Sequence, residues 1–132
     1  VAVIADGVHV ASENLRWMAA NEPLASSLAF CSDCLSAAGT AKPRFVAAGK
    51  RLRRDGVVAR DGKGDLGGVL ESLPHLLADR VAEGTLTWAQ ALRGGAEVPG
   101  GWLGDCGQIR LGYRADFAWL DKNGRISGLP GA

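Results

Sequence analysis

The chain has 132 residues, of which 47% are hydrophobic, and a net charge of +1 at pH 7. That balance suits one globular domain; it excludes a disordered chain and gives no electrostatic case for a nucleic-acid or membrane partner. No apolar run approaches the roughly 18–20 residues of a spanning helix, and three cysteines, an odd number, fit reduced thiols better than a secreted disulfide framework.

Val1–Ala5 is a continuous apolar run, which predicts a strand buried on both faces, as in a parallel sheet. It lacks the basic n-region and cleavage site of a signal peptide, so a cytoplasmic location is expected. The chain starts in mid-strand and its only Met is Met18, so it reads as a piece of a longer chain. Asp6–Val10 forms the polar end of this strand and its exit loop. Ser12 is expected to cap a helix whose apolar face is Leu15, Met18 and Ala19. Asn21-Glu22-Pro23 ends it, because the residue before a proline resists the helical region. Leu28–Ser32 is a second strand of the same kind, closing on Asp33. Strand–helix–strand of this type implies parallel pairing.

After Gly39 the character changes. Arg44–Ala48, Lys50–Arg54 and Val57–Arg60 are short extended segments divided by Gly49 and by Asp55-Gly56, a strong hairpin signal. Asp61-Gly62-Lys63-Gly64 is a further turn. The basic run Lys50–Arg54 alternates, so it reads as a solvated strand face. Ser72–Ala82 is helical, with Ser72 able to cap and Pro74 in the first turn. Leu73, Leu76, Leu77 and Val81 share its apolar face, and Gly84 stops it. Thr87-Trp88-Ala89-Gln90 is a capping-box pattern opening a helix to about Arg93. Gly94, Gly95, Pro99, Gly100 and Gly101 are expected to break the segment after Arg93. Phe117–Leu120 is a last strand, and Asn123-Gly124 a last turn before Ile126.

Polar groups at the C-terminal ends of buried parallel strands are where α/β folds place their chemistry. That directs attention to Asp6, Gly7 and His9 after the first strand and to Ser32 and Asp33 after the second. Cys31 and Cys34 form a C-x-x-C pair, open to a redox or half-zinc reading. Asp33 between them would raise the thiol pKa, against the activation such a pair needs. His75, in the first turn of a helix, reads as a surface residue.

The order VIADGVHV, a strand closing on SD, DGKGDLGG, a helix pair and GQIRLGYRADFAWLD resembles the C-terminal part of N-acetylglucosamine-6-phosphate deacetylases. These belong to the amidohydrolase superfamily of metal-dependent (β/α)8 barrels. Gly107, Ile109, Gly112, Ala115 and Asp116 match the superfamily's return to a small β domain. The resemblance implies an α/β fold comprising the last two barrel strands, Val1–Ala5 and Leu28–Ser32, plus strands of an appended small β domain holding Arg44–Arg60 and Phe117 onward. It divides the chain into 1–40 (barrel strands and linking helix), 41–65 (hairpin segment), 66–104 (closing barrel helices) and 105–132 (return to the small domain).

The same resemblance implies site roles. Asp33 falls on the general base and acid, His9 on a substrate-binding histidine, and Asp6, Gly7 and Val8 on its backbone neighbours. Leu66, Gly67 and Gly68 fall on a loop contacting the sugar. The substrate would be an amino-sugar phosphate, deacetylated with a divalent metal (zinc or similar). The metal's ligands, a glutamate and two histidines, belong to earlier strands and are not in this chain. The partner is a second copy or the remainder of the parent chain. Ser32-Asp33-Cys34 stands where the family has Thr-Asp-Ala, and Val69 where it has a hydroxyl residue. Two other readings stay open: an inert fragment serving as a binding module, and an amidohydrolase with a different amide substrate.

Overall fold

The structure is a computed structural model and describes residues 1–121, 123 and 125–128. Strand β1 (Ala2–Ile4) leads through helix α1 (Ser12–Ala20) and one further turn, α2 (Leu24–Ser27), to β2 (Ala29–Cys31). β1 and β2 pair in parallel, with Val3 opposite Phe30 and Ile4 opposite Cys31. Alternation along β1 explains its unbroken apolar run. Val3 and Ala5 belong to one cluster, with Leu15, Phe30 and Leu77. Ile4 packs on another, made by Val58, Val69 and Leu76. Both faces are therefore covered, as a parallel strand requires.

Helix α1 buries Leu15 and Ala19, as its period predicts, but its N-cap position is Ala11 and no side chain caps it. Ser12 is already inside the first turn. The turn α2 escapes a periodicity argument because four residues are too few to show a face.

Strands β3 (Arg44–Ala47), β4 (Lys50–Asp55), β5 (Val58–Arg60) and β6 (Leu66–Val69) form an antiparallel meander in that order. Leu66–Gly68, expected as a substrate loop, is thus strand; Ala59 pairs with Gly68 and Val58 with Val69. The reason is that the Asp61–Gly64 turn returns the chain directly onto β5. Asp61 Oδ1 accepts the N–H groups of Lys63 at 2.8 Å and Asp65 at 3.0 Å. One face of the meander, with Phe45, Leu52 and Ala59, closes on Ala37 and Leu70. On β4, an interior strand of the meander, Lys50, Arg51 and Arg53 are exposed and Leu52 is buried, so the basic run forms a solvated strand face. Register sets Arg44 opposite Arg53 and Arg53 opposite Arg60.

Helix α3 (Leu73–Ala82) has Ser72 at its N-cap position and Pro74 in the first turn, though the Ser72 side chain makes no cap hydrogen bond. Gly84 follows with φ +71°, the left-handed stop its position requires. Helix α4 (Trp88–Leu92) opens with the predicted capping box: Thr87 accepts from the Gln90 N–H, and Gln90 accepts from the Thr87 N–H. The Gln90 Nε2 also donates to the Ala19 carbonyl at 3.0 Å, tying α4 to the end of α1.

The helix does not break at Arg93. It runs on through a π turn, Arg93–Glu97, into α5 (Val98–Leu103). The glycines mark close approaches rather than breaks. A Cβ on Gly94 would stand 2.6 Å from the Phe30 ring, and one on Gly100 would stand 2.5 Å from the Cys106 carbonyl oxygen.

The last strand is shorter than expected: β7 (Trp119–Leu120) pairs antiparallel with β8 (Ile126–Gly128). Asn123 lies in a turn between them, while Gly124 lies outside the described residues. Arg44–Arg60 and the segment from Phe117 were expected in one small β domain. Among the described residues they form separate sheets, and a parallel bridge between Cys34 and Val69 joins β6 to the chain just after β2. Among the described residues no helix is long and apolar enough to cross a membrane.

Candidate active site

Parallel pairing brings the C-terminal ends of β1 and β2 side by side; the Ala5 N–H still donates to the Cys31 carbonyl at 3.2 Å. Asp6 and Asp33 therefore emerge from neighbouring strand ends. The chain turns at once after Asp6, with Gly7 at φ +75°, a conformation open to glycine at little cost. Asp6 Oδ1 accepts the N–H groups of Val8 at 3.0 Å and His9 at 2.9 Å. Its Oδ2 lies 2.6 Å from His9 Nδ1. One buried carboxylate thus folds the loop and orients the imidazole.

The Asp6 side chain is fully buried. Burial pushes its carboxyl up, but the hydrogen bonds from the His9 ring, the Val8 N–H and the His9 N–H outweigh burial and hold it below the ordinary 3.8. An ionised carboxylate only accepts, so His9 Nδ1 carries the proton of this bond and Nε2 faces outward. Nε2 lies 3.9 Å from Asp33 Oδ2. That exceeds hydrogen-bond range, so each group keeps a free face for a third one. His9 retains 18% and Asp33 49% side-chain exposure.

The structure therefore brings together Asp6, Gly7, Val8, His9 and Asp33. Gly68 also arrives, since a Cβ there would meet the Asp33 carbonyl oxygen at 3.1 Å. Leu66 and Gly67 instead face protein: Leu66 packs on the Val58 cluster, and a Cβ on Gly67 would stand 2.7 Å from a Leu52 methyl.

Sequence reasoning missed Arg80, which is buried beneath this loop. Its Nη1 would be 2.6 Å from a Cβ on Gly7 and has no hydrogen-bond partner. Nε and Nη2 donate to the two Glu83 carboxylate oxygens, at 3.0 and 2.6 Å. An Arg in the helical pattern Leu76–Val81 gives no sequence signal of such a position. His75, read as a surface residue, holds a bond of 2.7 Å from Nδ1 to Glu71.

All three cysteines are free. Burial and then the Asp33 charge push the Cys31 thiol up; burial, Glu71 and Asp33 do so for Cys34. Neither is a poised thiolate. Among the described residues no three His, Cys, Asp or Glu side chains form a group that could hold a metal ion. With Asp6 committed to His9, the donors of this chain do not fit a metal site by themselves. A groove of about 590 Å³ on the arginine-bearing face of the meander is lined by Arg44, Val46, Arg51 and Arg53 among others, and shares no residue with the Asp6–His9 and Asp33 cluster.

The backbone is that of a known α/β fold, seen in about a third of the length of sugar deacetylase chains. The structure of N-acetylglucosamine-6-phosphate deacetylase from Pasteurella multocida matches with a TM-score of 0.85 at 24% identity, over 97% of this chain and 34% of that one. The Thermotoga maritima enzyme matches at 0.80 and 21%, over 95% of this chain and 35% of that one. A mutant of the Mycobacterium smegmatis enzyme, in complex with N-acetyl-D-glucosamine-6-phosphate, matches at 0.80 and 22%, over 98% of this chain and 35% of that one. The α/β content expected from the sequence resemblance is observed, over a chain that spans about a third of the length of those enzymes. No family model and no curated protein matches the sequence.

Proposed function

We propose that this chain supplies the proton-transfer and substrate-holding part of a hydrolase that removes the acetyl group from N-acetylglucosamine 6-phosphate. The observation that carries the reading is the meeting of His9 Nε2 and the Asp33 carboxylate across 3.9 Å, at the ends of two parallel strands. Amide hydrolysis needs a base to take a proton from water and an acid to deliver one to the leaving nitrogen. Asp33, half exposed beside a histidine, has the freedom to do both in turn. His9, held through Nδ1 by Asp6, presents Nε2 to a substrate oxygen. Tight fixing of Nδ1 sets the direction of that contact.

Among the described residues β1 and β2 pair in a sheet only with each other, so each keeps an open edge. Parallel strands are stable when both edges and both faces are covered. We take them as two adjacent strands of a (β/α)8 barrel, completed by other strands of the parent chain. The divalent ion that the resemblance implies would be held by side chains on those strands.

The test is acetate release from N-acetylglucosamine 6-phosphate by the protein that contains this chain. The Asp33→Asn variant keeps the backbone, since Asn tolerates a left-handed φ, and loses the base. A fall of about 10²–10⁴-fold in turnover is expected. Full activity in that variant refutes the role of Asp33. No acetate from the unaltered protein, with hydrolysis of another amide, would favour a different amidohydrolase substrate.

A further inference from the structure

Asp33 sits at φ +52°, one of only two non-glycine residues with positive φ among those described. Such a conformation is unfavourable for a residue with a Cβ and persists where the surroundings over-determine it. Here the surroundings are β6. The Val69 N–H donates to the Asp33 carbonyl at 2.9 Å, and the Leu35 N–H donates to the Val69 carbonyl at 2.8 Å. Val69 itself is fully buried with Val58 and Leu76. The backbone on both sides of Cys34 is thus hydrogen-bonded to one buried, packed residue.

The approach is possible because Gly68 has no side chain. It adopts φ +127°, and a Cβ there would lie 2.8 Å from Leu35 Cγ and 3.1 Å from the Asp33 carbonyl oxygen. We infer that Gly68 and Val69 are positioning residues for Asp33, and that the four-stranded meander serves to hold this carboxylate at the strand end. The inference rests on the reading of Asp33 as the proton-transfer group. It assigns Gly68 a role through Asp33 rather than through contact with the sugar.

Gly68→Ala, made in the protein that contains this chain, tests it against Asp33→Asn. A displacement of about 1 Å at a reacting group costs roughly 10²-fold. The expected result is a loss of that order in kcat, with KM within about twofold and a shifted acidic limb of the kcat–pH profile. A raised KM with unchanged kcat would mean direct substrate contact and overturn the inference. Should Gly68→Ala fail to fold, Gly68→Ala in a Leu35→Ala background removes the side-chain collision and keeps the one with the Asp33 carbonyl. That double variant is expected to remain well below Leu35→Ala alone in kcat; equal rates overturn the inference. Full activity in Asp33→Asn instead removes the underlying reading, whatever the Gly68 variants do.

Discussion

Asp6 is where a single atom change separates the loop's architecture from its electrostatics. Its Oδ1 accepts two backbone N–H groups and its Oδ2 accepts from His9 Nδ1. Asp6→Asn keeps an oxygen for the backbone pair and replaces Oδ2 by an amide that cannot accept. The variant loses one charge-assisted bond, a cost of about 1.5–3 kcal/mol. Asp6→Ala also strips both N–H groups of their acceptor, at about 1–3 kcal/mol each when buried. Val8 is 41% exposed, so water recovers part of that, and a total of about 3–4 kcal/mol is expected for Ala against about 2 for Asn. Urea unfolding of the protein containing this chain measures both.

The pH dependence follows from the depressed carboxyl of Asp6. A group whose folded pKa lies below its unfolded value stabilises above the unfolded value, about 3.9, and loses that contribution as pH falls through the folded pKa. The gap between unaltered protein and Asp6→Asn should therefore be full at neutral pH and narrow below about pH 4. Equal stabilities for Asn and Ala would refute the division of labour between the two oxygens. A gap that widens in acid would refute the ionised carboxylate.

Two further outcomes follow from the packing and from the thiols. Gly94→Ala drives a methyl into the Phe30 ring, with its Cβ only 2.6 Å away, and should cost about 1–3 kcal/mol. Gly101→Ala, in the same helical run with open space around its Cβ, should gain about 0.5–1 kcal/mol; the same sign for both in thermal unfolding would contradict the assigned approach. Cys34, exposed but with its thiol pushed up by burial, Glu71 and Asp33, should alkylate at pH 7 more slowly than a free cysteine. Asp33→Asn should speed it, and an equal or faster rate in the unaltered protein would argue against the assigned environment.

The locally encoded features were legible in the chain. Asp55-Gly56 and Asp61–Gly64 demand turns, the Thr87–Gln90 box opens a helix, and two apolar runs ending in Asp6 and Asp33 mark buried parallel strands. Each signal lies within a few residues, so backbone sterics and short-range hydrogen bonds decide it. The helix after Arg93 was not legible. Glycine in a helix is locally unfavourable, and only the Phe30 ring and the Cys106 carbonyl, outside the helix, give Gly94 and Gly100 their reason.

The site divides in the same way. Sequence alone placed Asp6 and His9 together in the polar exit loop of the first strand, because the apolar run stops at Ala5; the hydrogen bonds that tie His9 to Asp6 came from the structure. Sequence also placed Asp33 at a matching strand end. Only tertiary structure decided that His9 Nε2 faces Asp33 at 3.9 Å, since that depends on the register of β1 against β2. Only tertiary structure turned Leu66–Gly68 from a loop into the strand whose end clamps Asp33. Contacts between Asp33 and Val69, or between Gly7 and Arg80, join residues dozens of positions apart, and no local pattern carries the closure of such distances.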